Sequence, residues 1–467
     1  MRKYVIFYFI IFAFGLLYLT LHSVATLDEV MLLDPCLNFI RGHYSSKIWY
    51  APGSELVFMS YLPANFLFRI LFLYIFPHQL FFFRLPYILL FIGSCILLHS
   101  IIQKKYHQPL LSILAAIFFI NDKGLWDASL SGRTEIIQVF LILSYFYLEL
   151  KNGGVIAPVI KGFIIGLLLL THPPAWIVAA VFIWYAIDLK NPRRTMLTWF
   201  PAFVIILLFL KSIQFNLKEF AAQLFLDGSL SSPTHSFGYR LIHSWERFLP
   251  YPYLMQPWVL LIIMACVYFW LNIKIVKSNW EQRIGIVFFS YLIFLLLTSE
   301  NYSRYNPPLL VCAYMFLPFI INFIQVKLKR SIPIYLYLIV IIIISIPFVL
   351  RVSRTYSNKE SNDARPVVMQ FLQAIHHQSN ESILIIGEPI GYFVAKAAPD
   401  IDYTTPFTTH KFMDHEYDRL ILLSYQEYTS NEYHLISKIE ILNTESGTYQ
   451  GLKCYERINT SVSAPDK

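Results

Sequence analysis

Long apolar runs with almost no charge in them decide what this chain can become. Residues 4–25 hold no charged side chain, and about ten further apolar segments follow, separated mostly by short polar loops. A helix of some 20 apolar residues is long enough to cross the roughly 30 Å hydrocarbon core of a bilayer. Of the 467 residues, 57% are hydrophobic and only 14% charged, whereas a soluble domain carries about a quarter charged residues. The sequence therefore predicts a polytopic α-helical membrane protein and argues against a soluble globular one.

The remaining composition agrees. Forty Phe and 31 Tyr suit lipid-facing surfaces and interfacial belts. The net charge of +8 falls in short loops between apolar runs, as topology determinants facing anionic lipid do. It does not indicate nucleic acid. Cys36, Cys95, Cys266, Cys312 and Cys454 are scattered without metal or disulfide spacing. Ser23-Val24-Ala25 looks like a signal cleavage site, but the apolar run before it exceeds the usual 7–15 residues of a signal core. It reads as a retained anchor.

Arg2-Lys3 places the N-terminus in the cytoplasm, and the basic clusters at Lys104-Lys105, Lys151, Arg193-Arg194, Lys274 with Lys277 and Arg283, and Lys327-Lys329-Arg330 should follow. Eleven spans satisfy this: 4–25, 83–102, 109–122, 134–150, 157–171, 174–188, 196–215, 254–273, 284–299, 308–326 and 332–351. The pair flanking Thr171-His172-Pro173-Pro174 is short and broken by proline, which is tolerated at membrane depth only beside a cavity or packed protein. Residues 55–76 carry Pro63, Asn65 and Arg69 and read as an interfacial helix in the first external loop. The long loops, 26–82 and 216–253, are external, so the working surface is extracytoplasmic. From about residue 355 the chain turns polar, with strand-like runs at 382–386 and 420–423 and a helical pattern at 366–375. This divides it into a membrane domain, 1–354, and a small extracytoplasmic α/β domain, 355–467. The turn at Gly387-Glu388-Pro389-Ile390-Gly391 lacks a dinucleotide fingerprint and reads as a plain strand-to-helix turn.

Few residues in such a chain carry chemistry. Asp28-Glu29 follows the first span, where an enzyme working at the membrane surface would keep a general base; both could equally be hydrated residues that end a span. In Ser131-Gly132-Arg133-Thr134-Glu135, Thr134 is a plausible N-cap and Glu135 suits the first helical turn. Arg133, a cation at the positive end of a helix, lacks such an explanation and calls for an anion. His172 lies at the broken pair. Arg304 and Tyr305, in Ser303-Arg304-Tyr305-Asn306-Pro307-Pro308, open the tenth span, where Arg304 anchors at headgroups or holds a lipid phosphate. Under one topology, Asp28, Arg133, Glu135, His172 and Arg304 all fall at the same membrane face.

In that order, these landmarks resemble the membrane glycosyltransferases of the GT-C fold that use polyprenyl-phosphate-linked sugars, a superfamily including protein O-mannosyltransferases and lipid A aminoarabinose transferases. The matching features are Asp28-Glu29, Arg84-Leu85-Pro86 after the interfacial helix, Gly132-Arg133-Thr134-Glu135, Thr171-His172-Pro173 and Arg304-Tyr305. The likeness covers most of residues 1–325. The chain departs from the family in having Tyr50-Ala51-Pro52-Gly53 for a His-Pro-Pro or Lys-Pro element, and Arg133-Thr134-Glu135 for Arg-Pro-Asp.

The resemblance implies an inverting transfer of a sugar to an acceptor hydroxyl of a lipid, glycan or protein. A phosphate leaves without needing a general acid, so one carboxylate base and cations for the phosphate suffice. Asp28 would be the base, with Glu29 orienting the site; Arg304 and Arg133 would hold the phosphate; His172, Glu135 and Tyr305 would line the pocket. No cofactor or metal is implied, although His235 or His243 could hold a divalent ion. The partners are then a polyprenyl-phosphate sugar, its acceptor and membrane lipids, in a bacterial plasma membrane. A flippase for a lipid-linked sugar would share the broken helices, and a polysaccharide polymerase or ligase would centre on His235, Arg240, His243 and Arg247 in the second long loop.

Overall fold

The structure, a computed structural model, describes residues 2–23, 27–40, 63–76, 80–151, 154–225, 279–297, 306–328 and 334–357, and strands within 383–457. The helices are α1 (Arg2–His22), α2 (Leu27–Ile40), α3 (Ala64–Ile75), α4 (Leu80–Tyr106), α5 (Pro109–Asn121), α6 (Lys123–Leu130) and α7 (Thr134–Glu149). They continue with α8 (Ile156–Leu169), α9 (Ala175–Tyr185), α10 (Pro192–Ser212), α11 (Leu217–Phe225), α12 (Asn279–Leu297), α13 (Pro307–Leu328) and α14 (Ile334–Ser357). The chain forms two compact units: Met1–Leu17 with Met59–Arg69 and Arg84–Leu350, and Tyr18–Phe58 with Ile70–Phe83 and Arg351–Lys467.

The first unit is a helical bundle whose outside is apolar. Phe14, Ile96, Phe163, Phe200 and Ile342 are all exposed, as lipid-facing side chains are. Among the described residues, Phe81–Tyr106, Pro192–Ser212 and Ile339–Ser357 are long and apolar enough to cross a bilayer unaided. The chain is a polytopic helical membrane protein. Helices occupy every expected span except 254–273, which lies outside the described residues.

Two local features shape the bundle. The span expected at 109–122 does not stop there: α5 turns by 55° at Asp122 into α6. Asp122 makes the turn by capping α6, its carboxylate accepting from the Leu125 N–H at 3.2 Å and from the Tyr314 hydroxyl of α13 at 2.7 Å. The second feature is a seam of small residues. A Cβ on Gly162 of α8 would stand 2.1 Å from the Thr198 carbonyl oxygen of α10, and one on Gly166 would stand 2.7 Å from Ile205 Cδ1. Only glycine lets the two backbones approach so closely.

Ring stacking fills the space between other helices. Tyr145 of α7 lies flat on Phe182 of α9, with centroids 3.8 Å apart, and Phe12 of α1 stacks on Phe348 of α14 at 3.9 Å. At 12 residues, α3 is about 18 Å long. It buries Asn65 and Arg69 while Leu67, Leu71 and Tyr74 are exposed.

The second unit holds α2 and a five-stranded sheet: β1 (Ile383–Gly387), β2 (Ile401–Thr404), β3 (Arg419–Leu423), β4 (Tyr433–Leu442) and β5 (Tyr449–Arg457). Their order is β2-β1-β3-β5-β4, with β1 parallel to β2 and β3, and β5 antiparallel to β3 and β4. Ile383, Leu384, Ile385, Leu420 and Ile421 are buried at successive positions, as strands covered on both faces require. The strand-like runs at 382–386 and 420–423 become β1 and β3. The helical pattern at 366–375 and the turn after Gly387 lie outside the described residues.

Candidate functional site

One group of buried polar residues of the first unit gathers where α6 hands over to α7. Helix α6 ends in a Schellman motif, in which the Gly132 N–H donates to the Ser129 carbonyl at 3.3 Å and the Arg133 N–H to the Ala128 carbonyl at 2.9 Å. The motif requires a left-handed residue between them, and Gly132 supplies it with φ of 60°. Arg133, in extended geometry, is then the N-cap of α7. Thr134, expected as the cap, is instead the first helical residue, and no side chain caps this end. The backbone has already fixed Arg133 by turning out of α6, so the cap falls one residue early.

Arg133 reaches forward to Glu135 through two hydrogen bonds, Nε to Oε2 at 3.2 Å and one Nη to Oε1 at 3.3 Å. A fork of this kind fits a guanidinium to a carboxylate plane. The Glu135 side chain is 2% exposed and that of Arg133 14%. The anion that Arg133 called for is therefore present within its own helix turn.

A second arginine supports this turn from outside. The Arg69 guanidinium of α3 donates to the Gly132 carbonyl and lies 4.2 Å from the centre of the Tyr87 ring. The Tyr87 hydroxyl donates to the Asn65 backbone carbonyl at 3.3 Å. The Asn65 amide in turn donates to the Thr171 carbonyl at 3.3 Å, while the Ala64 N–H donates to the Leu170 carbonyl at 2.9 Å. The start of α3 is thus pinned to the Thr171-His172-Pro173-Pro174 corner between α8 and α9, and its middle to the α6–α7 turn. Arg69, Tyr87, Asn65, Thr171 and His172 are all buried, as is Arg84 at the start of α4.

Two more buried side chains of the first unit have no hydrogen-bond partner among the described residues. They are the amides of Gln138, one turn beyond Glu135 on α7, and Asn306, which precedes α13. Each buried unsatisfied polar group costs about 1–3 kcal/mol, and such groups recur where a polar ligand binds.

The second unit holds the acidic pair expected after the first span. Asp28 lies in the first turn of α2. Glu29 and Asp34 are fully buried, and Asn38 donates to Asp34 at 3.5 Å. Sequence reading missed Asp34, Asn38 and Gln138 altogether, and noted Asn65 and Arg69 only as reasons why their segment should not cross. Arg304, Tyr305, His235, Arg240, His243 and Arg247 lie outside the described residues.

No protein-family model matches the sequence, and no curated protein matches it in sequence. The fold does match. ArnT from Cupriavidus metallidurans bound to undecaprenyl phosphate is similar over 99% of both chains, with a TM-score of 0.60 and 9% identity. The same protein in the apo state covers 97% of this chain and 98% of its own, with a TM-score of 0.61 and 10% identity. At such low identity the likeness shows the fold alone, a membrane architecture like that of ArnT over nearly the whole chain.

Proposed function

We propose that the chain transfers a sugar from a polyprenyl-phosphate-linked donor to an acceptor hydroxyl at the extracytoplasmic face of a bacterial plasma membrane. The observation that carries this reading is the buried polar seam joining α3, the Arg133–Glu135 fork and the Thr171-His172 corner, in a fold shared with ArnT over 99% of both chains. Burying Arg69, Arg84 and Glu135 withdraws charges from water at a cost, which supports a functional role for the seam. That solved relative was captured with undecaprenyl phosphate, a lipid of the proposed donor's class.

In this reading Asp28 takes the proton of the acceptor hydroxyl as its oxygen attacks the anomeric carbon, and the sugar–phosphate bond breaks with inversion. The departing phosphate carries its own negative charge away, so no general acid is needed. Arg304 is the principal phosphate ligand, because Glu135 already engages both arms of the Arg133 fork. Arg133 then contributes through the field of the pair. Glu135, His172 and Tyr305 line the pocket, Glu29 orients the site, and the Gln138 and Asn306 amides offer hydrogen bonds to sugar hydroxyls. Eleven spans put the N-terminus in the cytoplasm and residues 355–467 outside. The mechanism requires neither cofactor nor metal.

The test is transfer from a polyprenyl-phosphate sugar in liposomes, with donor binding measured separately. Asp28→Asn should bind donor normally and turn over at least roughly a hundredfold more slowly, while Glu29→Gln loses less. A dead Glu29→Gln beside a normal Asp28→Asn would move the base by one residue. Normal turnover in both variants would sink the mechanism.

A further inference from the structure

At the other end of α7 the bundle opens into a second polar site. A cavity of about 470 Å³ is lined by Glu149, Lys151, Gly154, Val155, Asn191, Arg193 and Arg194, among others. It is about 22 Å from the Arg133–Glu135 fork along the helix, at 1.5 Å per residue, and so belongs to the opposite membrane face. Its carboxylate is already engaged: Glu149 forms ion pairs with both Lys161 and Arg283. The nearby Asp188 carboxylate accepts from the Lys190 and Asn191 N–H groups, each at 3.1 Å. Lys151, Arg193 and Arg194 pair with no carboxylate among the described residues, and Lys151 instead lies 5.5 Å from the Tyr147 ring centre.

Two helices also begin at this cavity, α8 just after Val155 and α10 just after Asn191. Both direct the positive ends of their dipoles toward it. Asn191 caps α10 by accepting from the Arg194 N–H at 3.2 Å, which holds the two arginines at the rim.

The surroundings say what kind of anion fits. From the cavity, α8 carries Ile156, Ile160 and Phe163 outward, and α10 carries Met196, Phe200 and Phe203, all exposed. Both sets follow i, i+4, i+7 spacing and so form stripes. Trp199 is partly exposed beside the second stripe, as an aromatic at a membrane interface is. A soluble anion would use the cations and ignore these stripes. A lipid uses both, its phosphate among the cations and its acyl chains along α8 and α10.

We propose that this pocket binds the phosphate of an anionic phospholipid. The site needs only the membrane fold and stands whether or not the chain transfers sugars. The experiment uses the full-length protein, delipidated in detergent, with binding of phosphatidylglycerol, phosphatidylcholine and sn-glycerol 3-phosphate followed by native mass spectrometry. Phosphatidylglycerol should bind in preference to the other two. Lys151→Gln/Arg193→Gln/Arg194→Gln should weaken that binding by roughly fivefold per cation, on the order of a hundredfold together. Arg193→Lys/Arg194→Lys should retain most of it, and Lys123→Gln, at the far side of α7, should change nothing. The three charged groups are at the surface, and an unchanged melting temperature confirms that the triple variant folds. Equal binding of phosphatidylcholine, or unaltered phosphatidylglycerol binding in the triple variant, would overturn the proposal. Glycerol phosphate binding as tightly as the lipid would make it a soluble-phosphate site and overturn it equally.

Discussion

Replacing Arg69 with methionine keeps most of the side chain's volume and removes its charge, its bond to Gly132 and its contact with Tyr87. A hydrogen bond from a charged donor contributes about 1.5–3 kcal/mol, and a desolvated cation over an aromatic ring about 2 kcal/mol. Arg69 is fully buried and only 4.2 Å from the Tyr87 ring centre, so both figures apply near their upper ends. The relief of no longer burying a charge offsets part of this, leaving a loss of about 3–4 kcal/mol. In a chain of this size the melting temperature falls by about 2 °C per kcal/mol, so Arg69→Met should melt about 6–8 °C lower in detergent. The loss should also reach the site, because the Gly132 turn that presents Arg133 then loses one of its supports. Donor binding should weaken even though Arg69 holds the turn and not the donor. A double-mutant cycle with Tyr87→Leu isolates the ring contact and should show coupling of about 1–2 kcal/mol. Melting within a degree of the unaltered protein, or additive effects in the cycle, would refute the argument.

Three other predictions concern separate parts of the molecule. Arg304→Ala should weaken donor binding about tenfold to a hundredfold while Arg304→Lys keeps part of it; normal affinity in the alanine variant would reduce Arg304 to an interfacial anchor. Gly162→Ala would place its methyl 2.1 Å from the Thr198 carbonyl oxygen, so it should destabilise the fold by at least about 1–3 kcal/mol; an unshifted melting curve would mean that α8 and α10 meet in another register. Reporter fusions after Arg330 and after Lys467 should report opposite sides of the membrane, and agreement between them would end the eleven-span topology.

The sequence made some of this site legible because a polar residue in an apolar run is conspicuous. Arg133, Glu135 and His172 could be named on that ground alone. Their arrangement could not. Residues two apart on a regular helix point away from each other, so the Arg133–Glu135 fork forms only because Arg133 is in extended geometry at the cap. Arg69 and Gly132 are 63 positions apart, and Asp122 and Tyr314 are 192 apart. No local periodicity reports such pairs. The 55° bend at Asp122 was hidden for the same reason, since α6 has little apolar character of its own and is held by its cap and by Tyr314. Conversely, the polar side of α3 was legible, because Asn65 and Arg69 interrupt its apolar run, and these are the two polar residues that it buries.

The length of α7 has a consequence for the membrane itself. Its 16 residues rise about 24 Å, some 6 Å less than a typical hydrocarbon core. Ion pairs hold both of its ends, the fork at one and the Glu149 pairs at the other, so neither end is free to unwind and lengthen the helix. Most of α7 is buried inside the bundle, while α4 and α10 are long enough to cross and expose apolar side chains, so the shortfall of α7 sinks the fork beneath the headgroups. If the chain uses a lipid-linked donor, as proposed, the phosphate meets the Arg133 turn close to its own depth in the leaflet and need not be hauled into water to reach it.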